Sequence, residues 1–366
     1  MSNEVEVISS FNLPDLFRQL KIKDLGAHYG VDRNIKVKYI KSLTPYIFSW
    51  RISNSRIFCK KAACYVAENK PDLAYCRSYL IPYYCVKLGV NTIIETHTTN
   101  YEHPALKKIY TIAREDSFKA LVTISEKIKE EHIKRGVPKE KILVLEDGVD
   151  LERFELLDDR CHWRKELNLP VEKKTVIYCG HLYEDKGIEH ILLAAQQLQT
   201  KGDINFVLVG GQKKEIKRWK RYIVKNGINN VCFTGFVNNL DVPKYLKAAD
   251  VLVMPYKTDM NIKVMDIHTT SPLKLFEYMA AKRPIVSTDI PTITKILKDN
   301  QTALLAEPNN ITQLSEHIQR LNNDDELAKL LSGNAYKLCQ KFEWKERARL
   351  ILDHILRINN GKYSKK

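Results

Sequence analysis

Residues 269–286 (TTSPLKLFEYMAAKRPIV) combine two groups that suit a nucleotide: a helix start that can bind an anion, and a carboxylate further along the same helix. Ser271 can cap the helix, and Pro272 fits its first position, where no backbone N–H is needed. The free N–H groups and the dipole of such a helix start favour a pyrophosphate. Glu277 follows about one and a half turns later, where its carboxylate can accept hydrogen bonds from a ribose diol. Taken alone, the stretch favours a plainer interpretation, an ordinary capped helix with one tolerated glutamate.

Four strand-like runs precede this stretch, and each ends in a glycine or proline turn. They cover residues 175–179 before Gly180, 205–209 before Gly210 and Gly211, 231–234 before Gly235, and 250–254 before Pro255. Helical patterns at 188–199 and 242–249 lie between them, so strands and helices alternate, which predicts a parallel sheet in an α/β fold. Ligands of such sheets bind at the carboxyl ends of the strands. We therefore expect these turns and the helix start at Ser271 to line one cleft.

In this order, the segments resemble the nucleotide-sugar half of the retaining glycosyltransferases of family 4, which have the GT-B fold. The matching segments are YCGHLYEDKG (178–187), FVLVGG (206–211), VCFTGFV (231–237), ADVLVMPY (249–256) and SPLKLFEYMAAKRPIV (271–286). Upstream, residues 122–154 are similar to the segment that ends the acceptor-side domain of that family, and IIETHTT (93–99) is similar to a strand that carries a loop histidine. The resemblance implies an α/β fold with two Rossmann-like domains facing across a cleft.

The resemblance also implies roles for individual residues. Lys186 would contact the diphosphate, Glu277 would hold the nucleotide ribose, and His97 would lie against the donor sugar. Further donor-binding positions implied by the family are Gly180, His181, Gly210, Gly211, Gly235, Phe236, Val237, Thr269, Thr270, Ser271, Pro272, Leu273 and Lys274. Arg77 and Ser78 are acceptor-side candidates, although an ordinary salt bridge is the plainer interpretation of Arg77. A lone histidine such as His97 is likewise often only structural.

Three features depart from the family pattern. His181 stands where a second phosphate-binding arginine is usual, so one of the two side chains expected to carry positive charge at the phosphates is titratable. Thr269 replaces the first glutamate of the family's acidic pair, and a hydroxyl cannot accept from two sugar hydroxyls as a carboxylate does. The chain also resembles the family only from its second strand, with a strand expected at 4–11 and a helix at 13–25. We expect the usual first strand and glycine-rich loop to be missing, through a natural short form or a start assigned too late.

The length of 366 residues predicts two domains. We place the boundary within 154–170, which gives an acceptor-side domain at 1–157 and a nucleotide-sugar domain at 158–342. The last helix, at 343–366, either completes the first domain, as in the family, or belongs to the second. The eight cysteines show no metal-ligand spacing and are typical of buried thiols in a reducing compartment.

The formal net charge of +15 is concentrated in two segments. Residues 33–61 contain eight Lys or Arg and interleaved aromatic residues without an acid, which suits an anionic membrane; a solvated basic face is the alternative. The cluster at 213–225 is predicted to be a solvated helical face. Nucleic-acid-binding motifs are lacking, so we expect no nucleic-acid partner. We also expect a cytoplasmic protein, peripheral at the inner face of the plasma membrane, because no signal peptide or membrane span is evident.

Together these expectations describe a retaining glycosyltransferase. It would move a sugar from a UDP- or GDP-linked donor to a glycan or lipid-linked acceptor, in the synthesis of a bacterial surface polysaccharide. No paired aspartates that could hold a divalent ion are evident, so we expect neither a metal nor another cofactor. The alternative is a catalytically weak or inactive partner subunit, which His181, Thr269 and the missing first strand favour.

Overall fold

A computed structural model describes residues 6–11, 36–41, 55–200, 203–258 and 271–359. The chain divides into two compact units, one formed by residues 1–145 with 350–366 and the other by 146–349. The division falls earlier than the boundary that the sequence suggested. The reason is that Val149 and Phe154 are buried in the same hydrophobic cluster as Trp163 of the second unit. In the parts of the chain described, no helix is long and apolar enough to cross a membrane.

The first unit contains a parallel sheet of four strands in the order β3-β4-β5-β6 and a separate parallel pair, β1 and β2. Its elements are β1 (Glu6–Phe11), β2 (Lys36–Lys41), α1 (Ser55–Asn69), β3 (Ala74–Cys76), α2 (Leu80–Lys87), β4 (Thr92–Glu95), α3 (Pro104–Ile112), β5 (Phe118–Thr123), α4 (Glu126–Lys134) and β6 (Ile142–Val144). All four residues of β4 are buried, as expected for a strand covered on both faces.

The second unit contains a six-stranded parallel sheet with helices between its strands. Its elements are α5 (Arg160–Glu166), β7 (Lys174–Cys179), α6 (Ile188–Gln199), β8 (Ile204–Val209), α7 (Lys213–Lys225), β9 (Val231–Gly235), α8 (Val242–Ala248), β10 (Val251–Met254), α9 (Leu273–Ala280), β11 (Ile285–Thr288), α10 (Pro291–Thr294), β12 (Leu304–Ala306), α11 (Ile311–Asn323) and α12 (Asp325–Cys339). The final helix, α13 (Trp344–Asn359), begins in this unit and ends in the first, where Ile351 and Ile355 pack with Ile93.

The strand order of this second sheet is β12-β11-β10-β7-β8-β9. The chain therefore adds strands in one direction from β7 to β9, returns to pair β10 with the other side of β7, and continues outward. This is the doubly wound order of Rossmann-like domains. The four strands, the two helices between them and the parallel sheet predicted for this region are confirmed.

The strand predicted at 4–11 is confirmed as β1. The helix predicted at 13–25 lies outside the described residues, as do Thr269, Thr270 and most of the basic segment 33–61.

Candidate functional site

The strand order of the second unit reverses between β7 and β10, which are hydrogen-bonded neighbours. The connections after these two strands leave the sheet on different sides, so a crevice forms at their carboxyl ends. Gly180 follows β7, while Pro255 and Tyr256 follow β10. Several residues singled out from the sequence gather around these two strand ends.

Gly187 allows the loop after β7 to contact the loop after β10. Its φ is +69°, and a Cβ at this position would lie 1.6 Å from the carbonyl oxygen of Pro255. No residue with a side chain fits without moving one of the two loops. This close approach holds the neighbouring Lys186 beside Tyr256, with the ammonium 5.7 Å from the ring centroid.

Lys186 is paired with a buried carboxylate that the sequence analysis missed. Its Nζ donates to Oδ2 of Asp185 at 2.7 Å, and the Asp185 side chain is only 4% exposed. A buried acid keeps the ammonium in place at low entropic cost. The adjacency of the two residues in the sequence was the available signal, but it did not show that the carboxylate is buried.

Lys274 supplies a second cation at the crevice. Its Nζ donates to the Tyr178 hydroxyl at 2.8 Å and lies 4.2 Å from the centroid of that ring and 5.9 Å from that of Tyr256. Burial, together with the nearby Lys186 ammonium, lowers the pKa of Lys274 to about 7. Two aromatic rings compensate only in part for the hydration that the buried ammonium has lost. An anion that enters the crevice would therefore favour the charged form of Lys274.

Gly210, which follows β8, allows the turn after β8 to contact the turn after β7. Gly210 has a φ of +105°, and a Cβ there would lie 2.5 Å from the carbonyl oxygen of Gly180. The Gly210 N–H donates to the Gly235 carbonyl at 2.9 Å, so the turn after β9 joins the same row. Gly180, Gly210 and Gly211 therefore directly follow two neighbouring strands, and Gly235 is the last residue of the third.

Helix α9 begins at Leu273, one residue later than predicted. Pro272 occupies the N-cap position, and no side chain caps this helix. The expectation that Ser271 caps it is wrong, because the Ser271 hydroxyl accepts a hydrogen bond from the backbone N–H of Asp147 at 3.1 Å instead. The first N–H groups of a helix have no partner within it. Those of Leu273 and Lys274 belong to this first turn and remain suited to an anion.

Glu277 lies one turn into α9 and is partly buried. Burial raises the pKa of its carboxyl, while the positive charges of Arg153 and Lys274 oppose that rise. The adjacent Tyr278 is fully buried and joins the two central strands: its hydroxyl accepts from the Cys179 N–H at 2.8 Å and donates to the Val253 carbonyl at 3.4 Å. Tyr278 thus fixes α9, and with it Glu277, relative to the ends of β7 and β10.

Three predicted donor-site residues lie near the surface of this unit. Phe236 is 89% exposed and Val237 is half-buried, directly after β9. His181 is exposed, and its ring stacks on Tyr183 with a centroid separation of 4.9 Å. Its carbonyl accepts from the Tyr178 hydroxyl at 2.7 Å. A large exposed aromatic residue such as Phe236 offers a surface on which a planar base can stack.

In the first unit, His97 lies between a buried acid and an arginine. Its Nε2 is 2.6 Å from Oε1 of Glu95, which is 5% exposed, and its Nδ1 is 3.3 Å from Nη2 of Arg77. A guanidinium can only donate, so Nδ1 accepts from Arg77 and Nε2 donates to Glu95. His97 and Arg77 were predicted separately from the sequence, and Glu95 was not predicted, although residues two apart at a strand end share a face.

Ser78, the other acceptor-side candidate, does not join this group. Its hydroxyl is 4.0 Å from the sulfur of Cys59 on α1. The roles of the individual site residues therefore stay predictions, and the described structure adds Asp185, Tyr178, Tyr278 and Glu95 as the partners that position them.

Two family models match the chain. The model described as Glycosyltransferase Family 4 matches residues 3–153, and the model described as Glycosyl transferases group 1 matches residues 159–338. Each match falls mainly in one of the two compact units.

Individual relatives are distant. The 2-deoxystreptamine glucosyltransferase of Streptomyces kanamyceticus is 24% identical over 287 residues, which cover 76% of this chain and 70% of the relative. The capsular polysaccharide biosynthesis glycosyltransferase CapM of Staphylococcus aureus is 23% identical over 59% of this chain and 56% of its own. The chain spans about half the length of other relatives that it matches, from 41% to 56%.

Solved structures agree on the fold. The crystal structure of Anabaena Alr3699/HepE in complex with UDP-glucose superposes with a TM-score of 0.67 at 16% identity, covering 98% of this chain and 99% of that one. Sucrose-phosphate synthase from Thermosynechococcus elongatus gives 0.66 at 18% identity, over the full length of both chains. With both family models matched in order and this fold, the chain belongs to the GT-B glycosyltransferases of family 4.

Proposed function

We propose that this protein is a retaining glycosyltransferase that uses a nucleoside-diphosphate sugar as its donor. The observation that carries the proposal is the crevice at the ends of β7 and β10, where two lysines, the start of α9 and Glu277 meet. A diphosphate and a ribose are the ligand groups that match this set of donors and acceptors.

The two lysines fit the diphosphate. Lys186 and Lys274 have their ammonium groups against the same Tyr256 ring, at 5.7 and 5.9 Å from its centroid. As the bond from the sugar to the diphosphate breaks, negative charge grows on the leaving phosphate, and both ammonium groups and the α9 start stabilise it. These groups supply the charge that a divalent ion supplies in other enzymes, so we propose that the reaction is metal-independent.

The contacts with the ribose and the base are proposed from the positions of the residues around the crevice. Glu277, held by the buried Tyr278 next to it, accepts hydrogen bonds from the ribose hydroxyls. The base lies along Gly235, Phe236 and Val237. We propose uracil as the base, because the HepE structure of similar fold contains UDP-glucose.

We propose no enzyme nucleophile. Retention then requires the acceptor to approach the same face of the sugar from which the phosphate leaves. The leaving phosphate takes the proton of the acceptor hydroxyl, and its charge is then shared with Lys186. His97, with its Nε2 proton donated to Glu95, lies against the donor sugar in this proposal. The acceptor is a glycan or a lipid-linked glycan of a surface polysaccharide, which the relative CapM supports by name. Contact of residues 33–61 with the inner face of the membrane belongs to the same proposal.

A thermal-shift panel tests the donor. UDP, UDP-glucose, GDP and ADP are compared, each with and without a chelator. At a donor concentration about 100 times its Kd, stabilisation is about 2.7 kcal/mol. For a domain of this size that corresponds to a rise in Tm of roughly 5–10 °C. We expect a rise with the uridine ligands that survives chelation.

Two variants make this test specific. Lys186→Met removes the phosphate cation, and Lys329→Met removes an exposed lysine from α12 as a matched control. The first is expected to lose most of the shift and the second to keep it. A folded protein that responds to none of the nucleotides contradicts the proposal and favours the inactive partner subunit. Retention is checked by NMR of the anomeric configuration of the product, which should match that of the donor.

A further inference from the structure

Helix α7 (Lys213–Lys225) carries an unusually dense positive charge that the proposed reaction does not use. Its 13 residues, KKEIKRWKRYIVK, include seven Lys or Arg and one acid. That acid, Glu215, is occupied at the helix start, where its carboxylate accepts from the Gln212 N–H at 2.9 Å. Arg218 pairs with Glu184, and this is the only ion pair that α7 forms among the residues that the structure describes.

The six remaining cations are all exposed. They are Lys213, Lys214, Lys217, Lys220, Arg221 and Lys225. The opposite side of the helix is packed into the unit: Trp219 is 3% exposed, and its indole N–H donates to the Leu182 carbonyl at 2.8 Å. The ring therefore fixes the helix in one rotational position, with its cations directed to solvent.

An apolar side chain lies within this cationic face. At the helical spacing of about 100° per residue, Val224 falls between Lys213, Lys217 and Arg221, away from Trp219. It is 80% exposed, whereas Ile216 and Ile223 on the inner side are half-buried against the core. The helix is about 20 Å long. The outer face of the helix is thus a cationic surface with one exposed valine near its C-terminal end.

We propose that this face of α7 docks on the surface of an anionic phospholipid bilayer. Lysines and arginines would contact the headgroup phosphates, their apolar stems would lie along the interface, and Val224 would enter it. Nucleic acid also attracts cations, but a phosphate backbone gives no favourable place to an exposed valine on the same face. The inference concerns a surface outside the donor crevice and does not rest on the proposed function.

The test measures co-sedimentation of the full chain with vesicles. One set of vesicles is phosphatidylcholine alone, and the other contains added phosphatidylglycerol. The main variant combines Lys217→Gln, Arg221→Gln and Lys225→Gln, which lie on the side of the helix away from Trp219, and glutamine is well tolerated in helices. The matched control combines Lys329→Gln, Lys337→Gln and Lys341→Gln, three exposed lysines elsewhere on the same unit. Both variants lose the same net charge.

The wild type and the control are expected to bind only the anionic vesicles, and less tightly as salt rises. Each Lys or Arg at such a surface strengthens binding about fivefold, so the α7 variant should bind roughly 100-fold more weakly. Val224→Ser should weaken binding several-fold at unchanged charge. Equal binding by wild type and α7 variant would overturn the proposal, because the membrane contact would then lie elsewhere, for example at residues 33–61.

A duplex DNA oligonucleotide serves as the competing polyanion. Binding to DNA with no binding to anionic vesicles would also overturn the proposal. The thermal shift with UDP-glucose is measured on the same variants, and we expect it to be unchanged. Loss of the vesicle contact with an intact nucleotide response separates this inference from the donor assignment.

Discussion

We expect the ammonium of Lys274 to lower the free energy of unfolding while no donor is bound. The variant Lys274→Met should therefore unfold less readily than the wild type. Burial lowers the pKa of the ammonium from 10.5 to about 7. At pH 6 the group is charged in both folded and unfolded protein, so the folded protein bears the full desolvation cost. A shift of this size corresponds to an upper bound of about 5 kcal/mol. Since the side chain is only partly buried, we expect about 2 kcal/mol to be measurable.

Methionine is a suitable replacement at this position. It keeps an unbranched apolar stem over the Tyr178 ring and places a sulfur near the aromatic face. The Tyr178 hydroxyl keeps a partner, because it donates to the His181 carbonyl at 2.7 Å. No buried polar group is therefore left unpaired. The variant should be more stable than wild type at pH 6, but should bind UDP-glucose about 100-fold more weakly because a phosphate contact is lost.

The pH dependence has a definite sign. Between pH 7 and 10.5 the unfolded protein binds the Lys274 proton and the folded protein does not, so the stability contributed by this group rises with pH across that window. The advantage of Lys274→Met should therefore be largest below pH 7 and shrink toward pH 10.5. Urea unfolding of both proteins at pH 6 and pH 9 measures it, with Lys329→Met as the exposed control. A variant less stable than wild type at pH 6, or a difference independent of pH, would refute the reasoning.

Three further outcomes are expected. Glu277→Gln should weaken nucleotide binding about tenfold in calorimetry, because an amide accepts fewer hydrogen bonds from a diol; unchanged affinity would remove its ribose role. Gly187→Ala should lower the free energy of unfolding by at least about 2 kcal/mol, since a Cβ would lie 1.6 Å from the Pro255 carbonyl oxygen, and a neutral effect would disprove that contact. Tyr278→Phe should cost about 1–2 kcal/mol in thermal unfolding by leaving the buried Cys179 N–H unpaired, and an unchanged Tm would speak against this hydrogen bond.

Much of the second unit could be predicted because its elements are encoded locally. The helix predicted at 188–199 has the same bounds in the structure. Hydrophobic periodicity and turn residues act within a few positions of each other, so a short window contains them. The same holds for α7, whose positive charge is visible in the sequence.

Contacts between distant positions could not be predicted in this way. Ser271 resembles a helix cap by its type and position, yet its hydroxyl is used by the Asp147 N–H, 124 residues away in the chain. Asp185 looks like any acid in a polar turn, and only the packing of two loops at Gly187 buries it beside Lys186. The exposure of Val224 likewise depends on the direction in which Trp219 anchors its helix.

The sequence by itself determined the alternation of strands and helices, the turns at the strand ends and the family resemblance, because each depends on neighbouring residues. Only the tertiary structure decided that β10 pairs with β7 rather than with β9, the strand that precedes it. Strand pairing depends on which apolar faces cover one another across the sheet, and no local pattern records this. That pairing brings Lys186, Lys274 and the start of α9 to one crevice.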